Sequence, residues 1–428
     1  MKQNHPEYNL HLPYWRQIRV FKKGLNDVQE YVQGVTKDTS PNGILRNKEY
    51  KARGIYTNFT SVTVEALNGA VFRKPMNVEV PSGLEFIIDN ADGAGKTLEH
   101  VAKNTVSNLI EVGRHGLFAD YGTQAKITTY IAENIRDWET DESGILQKVI
   151  LITGYKKEKH LVIDSDGLYA VEFYKDDETD PYEIVTPTKS DGSRFDFIPF
   201  VFCGSVDNSP DVDNMPMWSI VNVSRGHYQD SCDLQDVGKY MVPTPWVNVP
   251  KMNPKQFVDE MVPNGYEFGN GAVIPIPEGG SAGLIQASAN NMHSEMMKEK
   301  ENQLIMLGAR IIESKSTQQT ATEAKLKFSA QNSTLDNLVG NAQQGLQFML
   351  KCCAEFEGVQ GDINIELNRD YFDSTLSAQD ISAEVMLLDR GVKAMSDVRD
   401  TLRKTGNIDM ERTDEMIDND VQLNGNGL

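Results

Sequence analysis

Asp92-Gly-Ala-Gly-Lys-Thr97 is a stretch whose residue types and spacing suggest work on a phosphate. The backbone N–H groups of a glycine-rich turn can wrap a phosphate, a lysine can neutralise it, and a following helix adds its N-terminal dipole. The stretch follows an apolar run, Leu84 to Ile88, and precedes a helical pattern, so Lys96 is the residue an ATP-using enzyme would employ. The Walker loop, however, needs a glycine five places before Gly95, and Asn90 stands there. Asp120, ending Gly116-Leu-Phe-Ala-Asp120, would be the magnesium ligand, but no repeated strand–helix alternation surrounds it. The plainer reading is a turn whose Thr97 caps a helix.

The remaining chemistry-bearing residues are less organised. The histidines at 5, 11, 100, 115, 160, 227 and 293 include no HxxxH pair or other metal spacing. His227, beside Tyr228 and near Asp230 and Asp233, reads as a helix-packing or subunit-contact residue. The acidic runs Asp137-Trp-Glu-Thr-Asp-Glu142 and Asp176-Asp-Glu-Thr-Asp180 read as solvated turns, since neither has the EF-hand glycine in place. Cys203, Cys232, Cys352 and Cys353 have no zinc spacing, and the last two point about 100° apart on a helix, so reduced, buried thiols are expected. The expectation is a non-enzyme with no catalytic residue, metal or cofactor.

A chain of 428 residues, 39% hydrophobic and 24% charged, has the composition of a folded protein of two or three domains. No apolar run approaches the roughly 20 residues that span a bilayer, and Met-Lys-Gln-Asn-His-Pro-Glu-Tyr lacks the apolar core of a secretory signal, which predicts a cytosolic product. The net charge of −20 argues against a protein that grips nucleic acid, because phosphate binding needs clustered Lys and Arg. It is compatible with a conduit that DNA slides past, since carboxylates repel the phosphates and give them no place to stop.

The elements that must position these residues follow from periodicity. Helical spacing covers residues 7–33, interrupted near Gly24, then Thr57–Phe72, closed by Pro75, and Thr97–Val112. From His115 to Val206 short β-rich runs alternate with turns, at 117–118, 127–131, 145–153, 160–163, 168–174, 182–185 and 197–202, with Asp166-Gly167 as a hairpin turn. This predicts a mainly antiparallel insert on a helical base. Asp207–Asn214 is a polar linker, and Met217–Met241 is helical again. Residues 242–287 are rich in Pro and Gly, with strand-like pieces at Trp246–Val249 and Ala272–Ile276. A strand at Ile363–Leu367, short helices near 378–389 and 396–404, and a frayed tail from Asn419 complete the pattern.

Two helices meet at the polar break Glu313-Ser-Lys-Ser-Thr-Gln-Gln-Thr320. The first places Met292, Met296, Gln303/Leu304, Leu307 and Ile311 on one face; the second places Leu335, Leu338/Val339, Ala342, Leu346, Met349/Leu350, Cys353 and Phe356. The second contains no proline and would run roughly 50 Å, at about 1.5 Å per residue, so it needs neighbours along its length.

The chain-long order of elements is α+β and resembles the bacteriophage portal (head-to-tail connector) proteins. The local words agree: His5-Pro-Glu-Tyr8 with Trp15-Arg16 and Ile18-Arg19, Ala70-Val-Phe-Arg-Lys-Pro75, Asp92-Gly-Ala-Gly95 with Leu98-Glu99, Gly113-Arg114-His-Gly116, Asp120-Tyr121, His227-Tyr228, Thr320-Ala-Thr-Glu-Ala324, and Leu367-Asn368 with Asp370-Tyr-Phe372. The resemblance implies a wing at 1–206 with a β-rich insert at 115–206, stem helices at 207–241 and 288–312, and a clip at 242–287. It further implies a tunnel loop at 313–320, a long wing helix and strand at 321–375, and a short helical crown at 376–428. It implies a ring, usually of twelve subunits, at one capsid vertex of the virion, assembled in the host cytoplasm, through which double-stranded DNA is packaged and ejected without sequence specificity. The implied partners are the major capsid protein, the large terminase, a head-tail adaptor and scaffolding protein. Trp246, Asn248, Lys251, Lys255, Phe257 and Tyr266 would serve docking at the clip. Glu313, Ser314, Lys315, Ser316, Thr317, Gln318 and Gln319 would face the channel, one mobile charge among neutral hydrogen-bonding groups; an ordinary solvated loop lysine is the plain alternative. A capsid or tail structural protein without a channel, and an ATPase using Lys96, are the other readings.

Overall fold

The computed structural model describes residues 4–24, 26–175, 180–240, 244–248, 250, 253–261, 276, 278–285, 292–308, 321–369 and 371, with short pieces at 386, 388, 390, 394–404, 408 and 412–418. The helical base begins with α1 (Pro6–Lys23). His5 caps it by accepting the Glu7 N–H, Pro6 pre-sets its first turn, and Gly24 at φ 69° ends it in the left-handed conformation. Its inner stripe, Tyr8, Trp15, Ile18 and Phe21, is buried. Helix α3 (Phe59–Val71) starts at Asn58, whose side chain accepts from the Ser61 N–H, and α5 (Leu98–Val112) starts at Thr97, which accepts from His100 N–H. Ten of the fifteen residues of α5 are buried, so it is the central post of the base.

Two elements depart from the sequence expectation. Helix α2 (Pro41–Arg53) was not anticipated: it opens with Pro-Asn-Gly, which reads as a turn, and buries only Gly43 and Tyr50, so it has almost no apolar period. Strand β4 (Ile135–Thr140) occupies most of what reads as a solvated acidic turn; Trp138 within it is 5% exposed, and only the end of the run turns, where Asp141 Oδ1 accepts the N–H groups of Ser143 and Ile145.

The β-rich insert is antiparallel throughout. Strands β3 (Ala125–Ile131), β2 (Arg114–Tyr121) and β9 (Phe200–Gly204) form one sheet with β2 in the middle. Strands β4, β5 (Leu146–Gly154), β6 (Lys157–Ile163), β7 (Tyr169–Lys175) and β8 (Glu183–Val185) form a second. The turn predicted at Asp166-Gly167 joins β6 to β7, with Gly167 at φ 75° and Asp164 Oδ1 accepting from the Asp166 and Leu168 N–H groups.

Helix α9 (Ala321–Glu357) has 37 residues and is about 55 Å long at about 1.5 Å per residue. Its predicted stripe is buried at every described position, from Leu335 through Leu346 to Phe356, against the β3–β2–β9 sheet and α5. Contact is closest at Gly345, where an added Cβ would lie 2.4 Å from Cys203 Sγ. Gln343 and Gln347 hold the returning chain: their side-chain oxygens accept the N–H groups of Leu367 and Ile365. That chain forms β12 (Asn364–Glu366), paired antiparallel with β1 (Asn77–Glu79). The four cysteines are free and buried.

Away from this body, α6 (Trp218–Tyr240) leads to β10 (Thr244–Asn248), α7 (Pro254–Met261), β11 (Ser281–Ile285) and α8 (Met292–Met306). β10 and β11 pair antiparallel, Thr244 with Ile285 and Asn248 with Ser281. The strand expected at 272–276 lies outside the described residues except for exposed Ile276, and β10 pairs with 281–285 instead. Of the two helices expected after β12, α10 (Met395–Lys404) is present, and most of 378–389 is outside the described residues.

Candidate functional site

The glycine-rich loop forms no phosphate cradle. It is preceded by a helical turn, α4 (Phe86–Asp89), where a phosphate-binding loop follows a strand. Its own side chains take its donors: Asp92 Oδ1 accepts the N–H groups of Ala94 and Lys96 at 2.8 and 3.0 Å, and Asn90 Oδ1 accepts that of Gly95 at 2.7 Å. Desolvation raises the Asp92 carboxyl, but the N–H bonds from Lys96 and Ala94 together with the Lys96 ammonium outweigh it and hold the carboxyl below its ordinary range. A carboxylate of the chain itself therefore stands where a phosphate would have to sit, and Lys96 Nζ lies 3.5 Å from it. Thr97 caps α5, as the plainer reading has it.

The two-helix stalk carries the more distinctive geometry. Helix α8 returns antiparallel to α6: Met217 and Leu307 line one cleft at the base, His227 meets Glu301 further along, and β10 pairs with β11 at the far end. Lys300 Nζ is paired with Asp230, His227 Nε2 lies 3.2 Å from Glu301 Oε1, and the stem of Lys300 packs over Gly226. The His227 ring is buried and meets Phe59 of the base edge-on at 5.4 Å, so it is a packing residue at the joint.

Helix α2, silent in the sequence, clamps α6. Arg46 grips Asp236 through two bonds of 2.9 and 2.6 Å, and Arg53 adds a third at 2.6 Å. The Tyr50 hydroxyl donates to Asp233 and accepts from Gln229, both at 2.6 Å, and Gly54 lets Cys232 approach the chain closely. The linker into α6 is also fastened. Arg114, sandwiched between Trp138 and Phe202 at 4.3 and 4.1 Å, donates through Nη1 to the carbonyls of Pro210 and Asp211 at 2.9 Å. Burial pushes the Arg114 guanidinium down to about 9. Asp213 accepts from the Val206 N–H, Glu7 accepts from the Val212 N–H, and Ser205 donates to the Asn214 carbonyl. What reads as a polar linker is a strap.

On α8 the predicted apolar face meets no such cover. Leu304 is fully buried, but Met292 (52%), Met296 (39%) and Leu307 (43%) are exposed; Ile311 is outside the described residues. Among the described residues, the full burial expected of that stripe is reached at Leu304 and not at Met292, Met296 or Leu307. At the tip, Trp246, Asn248 and Lys255 are exposed, whereas Phe257 is 3% exposed and packs inside the tip; Lys251 and Tyr266 lie outside the described residues. The loop residues Glu313, Ser314, Lys315, Ser316, Thr317, Gln318 and Gln319 also lie outside them. Among the described residues no three metal-ligating side chains cluster and no helix is long and apolar enough to cross a membrane.

Residues 216–357, the stalk and the whole of α9, match the model of a family described as a domain of unknown function, DUF4055. No curated protein matches the chain. Similar solved structures include a chain from the neck of an empty gene transfer agent (GTA) particle, 12% identical over 85% of this chain and 92% of that one, with a TM-score of 0.48. A chain of the native gene transfer agent virion is 12% identical over 89% and 94%, with a TM-score of 0.44. An HK97-family phage portal protein from Corynebacterium diphtheriae is 10% identical over 74% and 96%, with a TM-score of 0.36.

Proposed function

We propose that this chain is a phage portal protein: a subunit of a ring at one capsid vertex, through which double-stranded DNA passes and on which the packaging terminase and then a head-tail adaptor dock. The observation that carries the reading is the stalk. Two antiparallel helices enter and leave an α/β body through one cleft, end in a small β-containing tip, and leave Met296 and Leu307 of α8 exposed. An exposed stripe of Met296 and Leu307 on a helix that already has one neighbour needs a second, and side-by-side stalks in a closed ring supply it. In this arrangement α6 and α8 are the stem, 242–287 the clip, and 313–320 the loop at the channel wall, where Lys315 and its neutral neighbours offer DNA weak, exchangeable contacts. The major capsid protein and scaffolding protein meet the wing, and the assembly belongs to the virion.

The chain is read as structural, not enzymatic: the glycine-rich loop that would serve an ATP-using enzyme has its backbone donors occupied by Asn90 and Asp92. Negative-stain electron microscopy with native mass at moderate salt tests the proposal. Rings of about a dozen copies with a hole wide enough for duplex DNA are expected. Oligomers without a central hole would favour a non-channel capsid or tail component.

A further inference from the structure

The five-stranded sheet ends at β8, and among the described residues no strand pairs with its outer side. Natural sheet edges of this kind are short and carry charges at the edge positions to stop another chain from adding on. β8 is short and carries one charge, Glu183, but the positions on either side of it are apolar and exposed: Ile184 is 58% exposed, Val185 39%, and Tyr182 just before Glu183 45%. Register places Ile184 beside Glu172 and Val185 beside Val171 of β7, so the exposed side chains extend the two faces of an existing sheet. The sequence around the edge is one-sided in charge. Residues 180–188 contain Asp180 and Glu183, both exposed, and no lysine or arginine. The adjacent Lys175 lies over the Tyr182 ring, 4.2 Å from its centroid.

We propose that β8 is a docking edge for an extended segment of another protein, one that alternates apolar residues with lysine or arginine and adds as a further strand. The open edge offers main-chain hydrogen bonds, Tyr182, Ile184 and Val185 offer apolar contacts on both faces, and the acidic flank selects a basic partner. The local charge argues against the same edge of a second copy as the occupant: β8 paired with β8 would set Asp180 and Glu183 against acidic residues of the same edge. The inference goes beyond the ring assignment and does not depend on it.

The test uses the full chain and a short fluorescein-labelled peptide of alternating valine and lysine, with a valine–glutamate peptide as counterpart, read by fluorescence anisotropy. Native mass of the same samples reports the ring separately, so failure of the ring reading and failure of this one are distinguishable. Saturable binding of the basic peptide is expected, weakened about tenfold or more by Ile184→Pro, which removes a main-chain donor and kinks the edge. The double variant Asp180→Lys with Glu183→Lys leaves the strand in place and is expected to shift preference to the acidic peptide. Absence of saturable binding, undiminished binding by folded Ile184→Pro, or unchanged preference in the double variant would each overturn the proposal. So would a change in oligomer mass on Ile184→Pro in the absence of peptide binding, which would make β8 a contact between copies.

Discussion

Replacing Asp236 by asparagine tests whether α2 holds the stalk. The carboxylate receives three bonds from Arg46 and Arg53, and the three side chains are 13%, 28% and 21% exposed. A hydrogen bond to a charged group contributes about 1.5–3 kcal/mol, but water reaches both guanidiniums and asparagine keeps one acceptor, so the clamp as a whole is worth about 2–3 kcal/mol and not the sum of three bonds. At about 1.4 kcal/mol per factor of ten, amide exchange in 41–53 and 218–240 should accelerate about 30-fold or more, while exchange in α5 and α9 is unchanged. The acid limb adds a sign. The bond from Arg46 is the main influence holding the Asp236 carboxyl below its ordinary range, against desolvation, with Arg53 adding to it. A depressed carboxylate contributes stability above its unfolded value, about 3.9, and loses it as pH falls through the folded value. The difference between wild type and Asp236→Asn should therefore be full at neutral pH and close below about pH 4. A double-mutant cycle with Arg46→Met completes the test: strictly additive effects, or exchange unaltered in both segments, would refute the clamp.

Four further outcomes follow from the geometry. Gly345→Val should destabilise by about 1–3 kcal/mol in thermal or chemical unfolding, because the new side chain meets Cys203 Sγ and Leu117 where α9 lies closest to its sheet; no loss would contradict that close approach. ATP with magnesium should raise the melting temperature of neither wild type nor Lys96→Ala, since Asp92 already occupies the loop's donors; a shift in wild type that Lys96→Ala abolishes would restore the enzymatic reading. Arg114→Met strips the carbonyls of Pro210 and Asp211 of a buried donor, and should expose the 205–215 strap to limited proteolysis before the rest of the chain. Ring assembly should respond to salt, because exposed charges are screened over about 8 Å at physiological ionic strength and each subunit carries −20; identical native masses from low to high salt would refute this.

The parts of the fold legible in the sequence are those whose partner is the chain's own core. Leu335, Leu338, Ala342, Leu346 and Phe356 repeat at helical spacing because α9 lies on a continuous apolar sheet, and the spacing alone located them. Helix α2 escaped because its work is done by Arg46, Tyr50 and Arg53 on acidic residues of α6 far away in sequence, and polar contacts leave no period. β4 escaped because its polar and acidic residues outnumber the two buried side chains, Ile135 and Trp138, that fix it, Trp138 between His5 and Arg114. The Met292–Met296–Leu307 stripe was legible as a face, but periodicity does not say whether the covering surface belongs to the same chain. The strap at 205–215 shows the limit from the other side: its polar composition is that of a loose connector, and buried Arg114 makes it part of the body.

Met217 and Leu307 line the same cleft, so the chain enters the stalk at the first turn of α6 and leaves it at the last turn of α8 in one place. Among the described residues, contacts with the body reach along α6 as far as Lys239, whose Nζ lies 3.8 Å from Glu49 of α2, and those between the two helices include Lys300. The stretch between these two residues behaves topologically as an insertion: it can be lengthened, shortened or replaced by a foreign module without re-registering a strand or helix of the body. A lineage of such proteins can thus change what it attaches to at the tip while keeping the rest of the molecule fixed, and an engineer can make the same exchange with one pair of splice points.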